Sequence, residues 1–346
     1  MPFDPLRHRK ESLMTDPVRL SLAICEYDHV QALCNGTVKV KGARLNIQNL
    51  PVQDIFARFT RFREWDISEM SLAMYVSLLS QGDRSLTAIP VFPSRMFRQS
   101  AFFVRRNGSV KSASDLKGGR IGFPDWSHTA GVYARGFLAH ECGVALDTVE
   151  WVEGSVNATG HAPHIAIAWP DGLQVTKAKD KSLNDMLIAG ELDAIISSHT
   201  PDGALGENPS ITRLFPGGMA DEADYYRQTG IFPIMHVVAI RSDIYESNRW
   251  LAANLCQAFE AAKQDSLRRM ADSMISRYPF PWIYEQAAAA RALFGQDFWP
   301  YGVARNRTTL TKFLEYCQEQ GVSHRPVGLD ELFAPETAGL FAGTPK

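Results

Sequence analysis

Val18, Leu20, Leu22 and Ile24 alternate with Arg19, Ser21 and Ala23, a period-two pattern that predicts a strand. Leu45 and Ile47 mark a second strand. Val52, Ile55, Phe56, Phe59 and Phe62 then fall at helical spacing, so a helix packs on the sheet, with Ile55, Phe56 and Phe59 expected in the core. Trp65–Ile67 returns as a strand, Ser71 suits the N-cap of a helix through Leu79, and Leu86–Val91 and Ala101–Val104 are further strands. Such alternation predicts a largely parallel α/β sheet.

A second unit starts near Ser114. A short helix and glycine turn at Asp115–Gly119 lead to a strand ending at Phe123. Thr129–His140 reads as a helix, Thr148–Val152 as a strand, Leu183–Ala189 as a helix stopped by Gly190, and Leu192–Ile196 as a strand. Ile234–Ile240 is one more apolar strand, and the remainder reads as helices at about 243–268, 283–294 and 308–320. Arg63–Met70 and Gly190–Ser197 each close a helix and launch a strand that ends in small polar residues. Two similar lobes are therefore expected, with a ligand beyond the strands' carboxyl ends. Those ends are Glu69 and Ser71 in one lobe and Ser197, Ser198 and His199 in the other.

The chain has 346 residues, 45% hydrophobic and 21% charged, enough for two domains with their own cores. A formal net charge of −2 gives no electrostatic reason to expect nucleic acid or an anionic membrane as partner. Five scattered cysteines (Cys25, Cys34, Cys142, Cys256, Cys317) form no C-x-x-C pair, which suits reduced thiols and a cytoplasmic location. Residues 1–17 read as a flexible polar arm with no apolar h-region, so no secretory signal is expected, and Met14 is a candidate alternative start. No run approaches the roughly 18 apolar residues of a membrane span.

Candidate chemistry clusters at the strand ends. Arg95 and Arg98 follow the strand at Ala88–Val91, and a guanidinium fork fits a carboxylate in two-point fashion. If that turn is helical, their i, i+3 spacing puts both on one face; acidic neighbours are the competing partners. Ser127 and Thr129 are candidate caps of the helix from Thr129, whose free N–H groups favour an anion, and His128 beside them is a candidate proton donor. His236, within an apolar strand, is either a second proton donor or a hydrogen-bonded core histidine. Tyr27 and Asp28 follow the first strand, where Asp28 could accept a phenolic proton and Tyr27 could pack on a ring. Glu69 is either a buried acid or half of an ion pair. His161-Ala-Pro-His164 has metal-ligand spacing interrupted by proline, and no H-E-x-x-H or cysteine cluster exists. No cofactor is expected; a divalent metal held by His29, His128, His199 or His236 across a cleft stays open.

Several segments together resemble the 4,5-dihydroxyphthalate decarboxylase family, a branch of the type II periplasmic-binding-protein fold. They are Ile67-Ser-Glu-Met-Ser-Leu72, Ile89-Pro-Val-Phe-Pro-Ser-Arg-Met-Phe-Arg98, Asp115-Leu-Lys-Gly-Gly-Arg-Ile-Gly122, Tyr226-Arg-Gln-Thr-Gly-Ile-Phe-Pro-Ile-Met-His236, Gly295-Gln-Asp-Phe-Trp-Pro-Tyr-Gly302 and Glu331-Leu-Phe-Ala-Pro335. They spread over about residues 18–335. The resemblance implies two α/β lobes around a central cleft with a mostly helical C-terminal third. Lobe one would comprise 18–105 plus 236–346, and lobe two 106–235. It implies a carboxy-lyase that takes carbon dioxide from a hydroxylated aromatic acid such as 4,5-dihydroxyphthalate, giving 3,4-dihydroxybenzoate in aromatic catabolism. The alternative is a solute-binding or sensor protein that only captures a small carboxylate. Arg95, Arg98, Tyr27, Ser71, Ser127, Thr129 and His199 would bind the substrate, and His128, His236, Asp28 and Glu69 would act on it. The resemblance also leaves room for a homo-oligomer built through the helical third. Two stretches depart from the family pattern: His199 stands in a segment expected to carry an arginine, and Leu214-Phe-Pro-Gly-Gly218 lacks an expected acid.

Overall fold

Alternating burial along Val18–Ile24 makes β1, with Leu20 and Leu22 turned into the core. The computed structural model describes residues 16–159 and 165–342, so most of the N-terminal arm, His161 and His164 lie outside the described residues. After the short helix α1 (Gln31–Cys34) come β2 (Ala43–Asn49), α2 (Val52–Phe62), β3 (Ile67–Ser71), α3 (Leu72–Ser80) and β4 (Leu86–Ile89). The chain then crosses to β5 (Phe102–Arg105), β6 (Arg120–Phe123), α4 (Thr129–His140), β7 (Glu150–Glu153), β8 (Gln174–Lys177), α5 (Leu183–Ala189), β9 (Ala194–Ile196), β10 (Ile211–Arg213) and α6 (Met219–Thr229). It returns as β11 (His236–Arg241) and ends in α7 (Ser242–Ser247), α8 (Trp250–Met270), α9 (Ile283–Phe294) and α10 (Arg307–Glu319).

Two sheets result. The first runs β2-β1-β3-β11-β4 and the second β10-β5-β9-β6-β7-β8. Both are mixed rather than largely parallel: β11 runs antiparallel to β3 and β4, and β5 runs antiparallel to β9 and β10. The reason is topological. β11 and β5 each enter their sheet from the other lobe, against the direction of the strand–helix units around them. Phe102–Arg105, placed by pattern in the first lobe, pairs in the second sheet.

The two crossings pair with each other where they pass. Arg95 bridges Ile234, Met235 N–H donates to the Ser94 carbonyl at 2.8 Å, and Met96 N–H to that of Pro233 at 3.3 Å. This twin-stranded hinge is locked by the Arg95 side chain, which donates to the carbonyls of Phe232 (3.0 Å) and Pro300 (2.7 Å) and to Asn306. The Arg95 guanidinium also lies 5.1 Å from the Phe232 ring centre. Gly295–Gly302 has the packing role that its aromatic content suggests, with Trp299 Nε1 donating to the Phe92 carbonyl at 3.0 Å and Tyr301 fully buried.

Helices cover the sheets. α2 buries Ile55 and Phe59 on the first sheet, and Ser71 caps α3 by accepting from Met74 N–H. α10 packs on α3 of the first lobe and α4 of the second. Gly136 permits the close approach to α4, because a Cβ there would sit 2.5 Å from the Tyr316 ring. No helix among the described residues is long and apolar enough to cross a membrane.

Candidate active site

Between the lobes lies a cavity of about 1060 Å³. One wall is a stripe of α2: Val52, Gln53, Phe56, Ala57, Thr60 and Arg61. These recur at helical spacing on the face opposite Ile55 and Phe59, so α2 has one side in the core and one on the cleft. Phe56, expected in the core, lines the cavity instead.

The floor is built by β3 and β11, adjacent and antiparallel, with His236 opposite Ser71. Glu69 is fully buried. One of its oxygens receives His236 Nδ1 and the Tyr27 hydroxyl, each at 2.6 Å, and the other receives Cys25 N–H at 2.9 Å. Burial pushes the Glu69 carboxyl up, but the hydrogen bond and charge of His236, the Tyr27 hydroxyl and the Cys25 amide outweigh it and hold Glu69 below the usual carboxylate range. Burial and the neighbouring Glu69 charge push the Tyr27 phenol well above its ordinary value, so it stays a donor. Glu69 thus fixes the imidazole, whose edge position against Phe56 (4.8 Å between ring centres) leaves His236 in the cavity wall.

Arg98 enters from the hinge side. Its guanidinium touches only sulfurs, Met235 Sδ at 2.8 Å and Met96 Sδ at 3.5 Å, and it makes no ion pair among the described residues. Burial lowers it to about 10, so it remains a cation at neutral pH. Arg98 therefore presents a half-desolvated positive charge to the cleft. Arg95 does not. The segment is extended rather than helical, so residues three apart point to opposite sides, and Arg95 faces the hinge with protein acceptors.

The opposite wall is the start of α4 and the loops beyond β7 and β9. Thr129 Oγ1 lies 2.9 Å from Ser71 Oγ and accepts from Ala73 N–H at 3.0 Å, so the two hydroxyls join the lobes at the base of the cavity. Ser127 lines the cavity with its hydroxyl donated to Asp125 at 2.6 Å. His128, N-terminal to α4, has Nε2 3.6 Å from Asp125 and also lines the cavity, as do exposed His199, Ser198 and Asn157.

Two sequence candidates stand elsewhere. Asp28 is held by Ser266, by Arg269 at 2.8 Å and by Tyr278 at 2.9 Å, tying the first lobe to α8 rather than facing the cleft. Tyr27 supports Glu69 from beneath instead of covering a ligand ring. His29 is set aside too: it donates to the Pro93 carbonyl at 2.9 Å. Among the described residues, the three-residue set with metal-ligand geometry is His140, Glu315 and Glu319, exposed at the far end of α4.

Sequence reasoning missed Arg61, Phe56, Met74 and Asn157 as cleft residues. Arg61 had a signal: it lies five residues beyond Phe56 on the same stripe. Asn157 had none, because it comes from an irregular loop.

No family profile matches the chain. A 4,5-dihydroxyphthalate decarboxylase from Comamonas testosteroni is 34% identical over 325 residues, covering 94% of this chain and 98% of the relative. A second protein of that name, from Pseudomonas putida, is 33% identical over 219 residues, covering 63% of this chain and 85% of the relative. The periplasmic aliphatic sulphonate-binding protein SsuA from Escherichia coli is 14% identical with a TM-score of 0.51, covering 93% of this chain and 99% of that one. That likeness concerns the fold: two lobes around a cleft.

Proposed function

The chain belongs to the 4,5-dihydroxyphthalate decarboxylase family, and from that premise we propose that it is a carboxy-lyase converting 4,5-dihydroxyphthalate to 3,4-dihydroxybenzoate and carbon dioxide. The observation that carries the residue assignment is the Glu69–His236 pair, a buried carboxylate holding an imidazole in the wall of a cleft that also presents Arg98.

The chemistry needs three things from the protein: a grip on the dianion, a proton for ring carbon, and support for charge on the ring oxygen. Arg98 grips one carboxylate in charge-assisted fashion, and Arg61 on the α2 rim holds the other. His236 delivers a proton from Nε2 to the ring carbon bearing the carboxylate that leaves; each carboxylate of 4,5-dihydroxyphthalate lies para to a hydroxyl, so either position can take this role. A new C–H bond forms. The C–C bond to the carboxylate breaks, its electron pair restores the aromatic ring, and carbon dioxide leaves. One proton is consumed per turnover, and the imidazole recovers it from water. Glu69 holds Nδ1 and so keeps Nε2 turned to the ring, and His128 on the facing wall takes and returns the phenolic proton. The apolar side chains of Phe56, Met74 and Met235 flank the ring.

A cytoplasmic site for this reaction is part of the proposal. Free Cys256 and Cys317, buried and unpaired, support it.

Purified protein is incubated with 4,5-dihydroxyphthalate while carbon dioxide release and ring absorbance are followed. The expected result is turnover that falls by 10²–10⁴ in His236→Ala. Tight binding without carbon dioxide release would sink the enzymatic reading in favour of a solute-binding one. A wild-type rate in His236→Ala would leave the activity standing and remove this proton donor.

A further inference from the structure

Arg98 meets two thioethers, Met235 Sδ at 2.8 Å from Nη2 and Met96 Sδ at 3.5 Å from Nη1. Thioether sulfur is a weak acceptor, so neither draws the cation away from a substrate carboxylate. The two methionines differ in their access to water: Met235 is 1% exposed and Met96 53%. Arg95 and Phe97 on either side are buried, so the extended chain turns Met96 alone outward, where it fills no gap in the core. Met96 does not line the cleft. It lies on the hinge strand, with its N–H donated to the Pro233 carbonyl. One sulfur atom thus has solvent on one side and the cation of the cleft on the other.

An exposed methionine is open to reversible oxidation to the sulfoxide. A peroxide supplies one oxygen. Its O–O bond breaks, an S–O bond forms at a sulfur lone pair, and water leaves; sulfur is oxidised and the peroxide reduced by two electrons. The sulfoxide oxygen carries partial negative charge and accepts a charge-assisted hydrogen bond that a thioether cannot match. Arg98 Nη1 then acquires a protein acceptor of its own, as Arg95 has in the Pro300 carbonyl and Asn306.

We propose that Met96 is a reversible oxidation site, modified by hydrogen peroxide, that sets how well Arg98 holds the substrate. The inference rests on Arg98 as the carboxylate grip of the proposed function. The oxidant has a source in the reaction's own compounds. Substrate and product both carry vicinal hydroxyls, and dioxygen takes two electrons and two protons from such a ring to give an ortho-quinone and hydrogen peroxide. Oxidation of Met96 weakens binding at low substrate. A methionine sulfoxide reductase undoes it, returning the thioether and water as two thiols join in a disulfide.

The test treats the full chain with hydrogen peroxide, maps the sulfoxides by peptide mass spectrometry and follows steady-state kinetics with 4,5-dihydroxyphthalate. Met96 is expected to gain one oxygen ahead of Met235, with KM rising about tenfold and kcat less affected. Methionine sulfoxide reductase with dithiothreitol is expected to restore KM, and dithiothreitol alone to leave it raised, which separates the effect from oxidised cysteine. In Met96→Leu, which keeps the exposed Met219 and Met274, KM after treatment is expected to equal KM before it. Oxidation of Met235 ahead of Met96, a mapped Met96 sulfoxide with unchanged KM, or a rise in KM that persists in Met96→Leu overturns the proposal. Untreated Arg98→Ala separates the two layers. A wild-type KM there removes the carboxylate grip and this inference with it; a raised KM beside a Met96 sulfoxide without effect removes this inference alone. If the untreated chain binds the acid without turnover, the enzymatic reading alone fails, and the same comparisons are read in the dissociation constant by calorimetry.

Discussion

Two arginines three residues apart met opposite fates, and no local property of the sequence distinguishes them. Arg95 became a hinge residue because Pro300 and Asn306, some two hundred positions later, supply its acceptors. Arg98 kept its charge for the cleft because only methionine sulfur reached it. Replacing Arg98 with alanine is expected to raise KM for the dicarboxylate about tenfold to a hundredfold, the value of a charged hydrogen bond, with kcat less affected. Steady-state kinetics at constant ionic strength would show it. Glu69→Gln keeps a hydrogen-bonding group beside His236 but removes the carboxylate charge that orients the imidazole. Its kcat is expected to drop ten- to a hundredfold with KM nearly unchanged; an equal loss in kcat and thermal stability only would mark Glu69 as structural. His29 makes a pH prediction. Burial lowers it to about 4, whereas an unfolded chain titrates near 6.5. Between those values the unfolded state holds more protons, so stability falls as pH drops through that window, by on the order of 2 kcal/mol at pH 4.5. Urea midpoints at pH 7 and 4.5 should separate less in His29→Gln; an identical separation would count against it.

α2 shows how much an element reveals and hides. Its helical spacing was plain, and its bounds matched Val52–Phe62, yet hydrophobicity alone could not say that Phe56 faces a cleft while Phe59 faces the core. A helix with two apolar stripes has two non-aqueous neighbours, and only the second lobe discloses which stripe meets the ligand. Phe59→Ala is therefore expected to cost about 3–5 kcal/mol of stability, measured by chemical denaturation, and Phe56→Ala far less. α5 and the capping of α3 by Ser71 were legible because local signals specify them: an N-cap serine, a glycine stop with positive φ at Gly190 and continuous apolar spacing. The extent of α4 was legible but its cap was not: neither Ser127 nor Thr129 caps it, since His128 holds the N-cap position with no side-chain cap hydrogen bond, the Ser127 hydroxyl goes to Asp125 and that of Thr129 to Ser71 and Ala73 N–H. β8 and β10 were not. Gln174–Lys177 carries one partly buried apolar residue and Ile211–Arg213 spans three residues, so their strand character comes from the neighbours they pair with.

At the level of the whole molecule, the two-lobe plan followed from the repeat of helix–strand junctions and from family likeness, while the site required contacts between segments far apart in the chain. Glu69 and His236 are separated by 167 positions, and Ser71 and Thr129 by 58. Hydroxyls of Ser71 and Thr129 join the lobes at the base of the cleft, and paired crossings form the hinge. The cavity of about 1060 Å³ is much larger than one benzene dicarboxylate. At about 30 Å³ per molecule it accommodates some tens of waters, of which a bound ring displaces only a few. The rest can leave only when the walls come together. Calorimetry of ligand binding should then record a drop in heat capacity greater than the ring's own apolar surface accounts for, so that most of the thermal signal of recognition comes from protein meeting protein rather than protein meeting ligand.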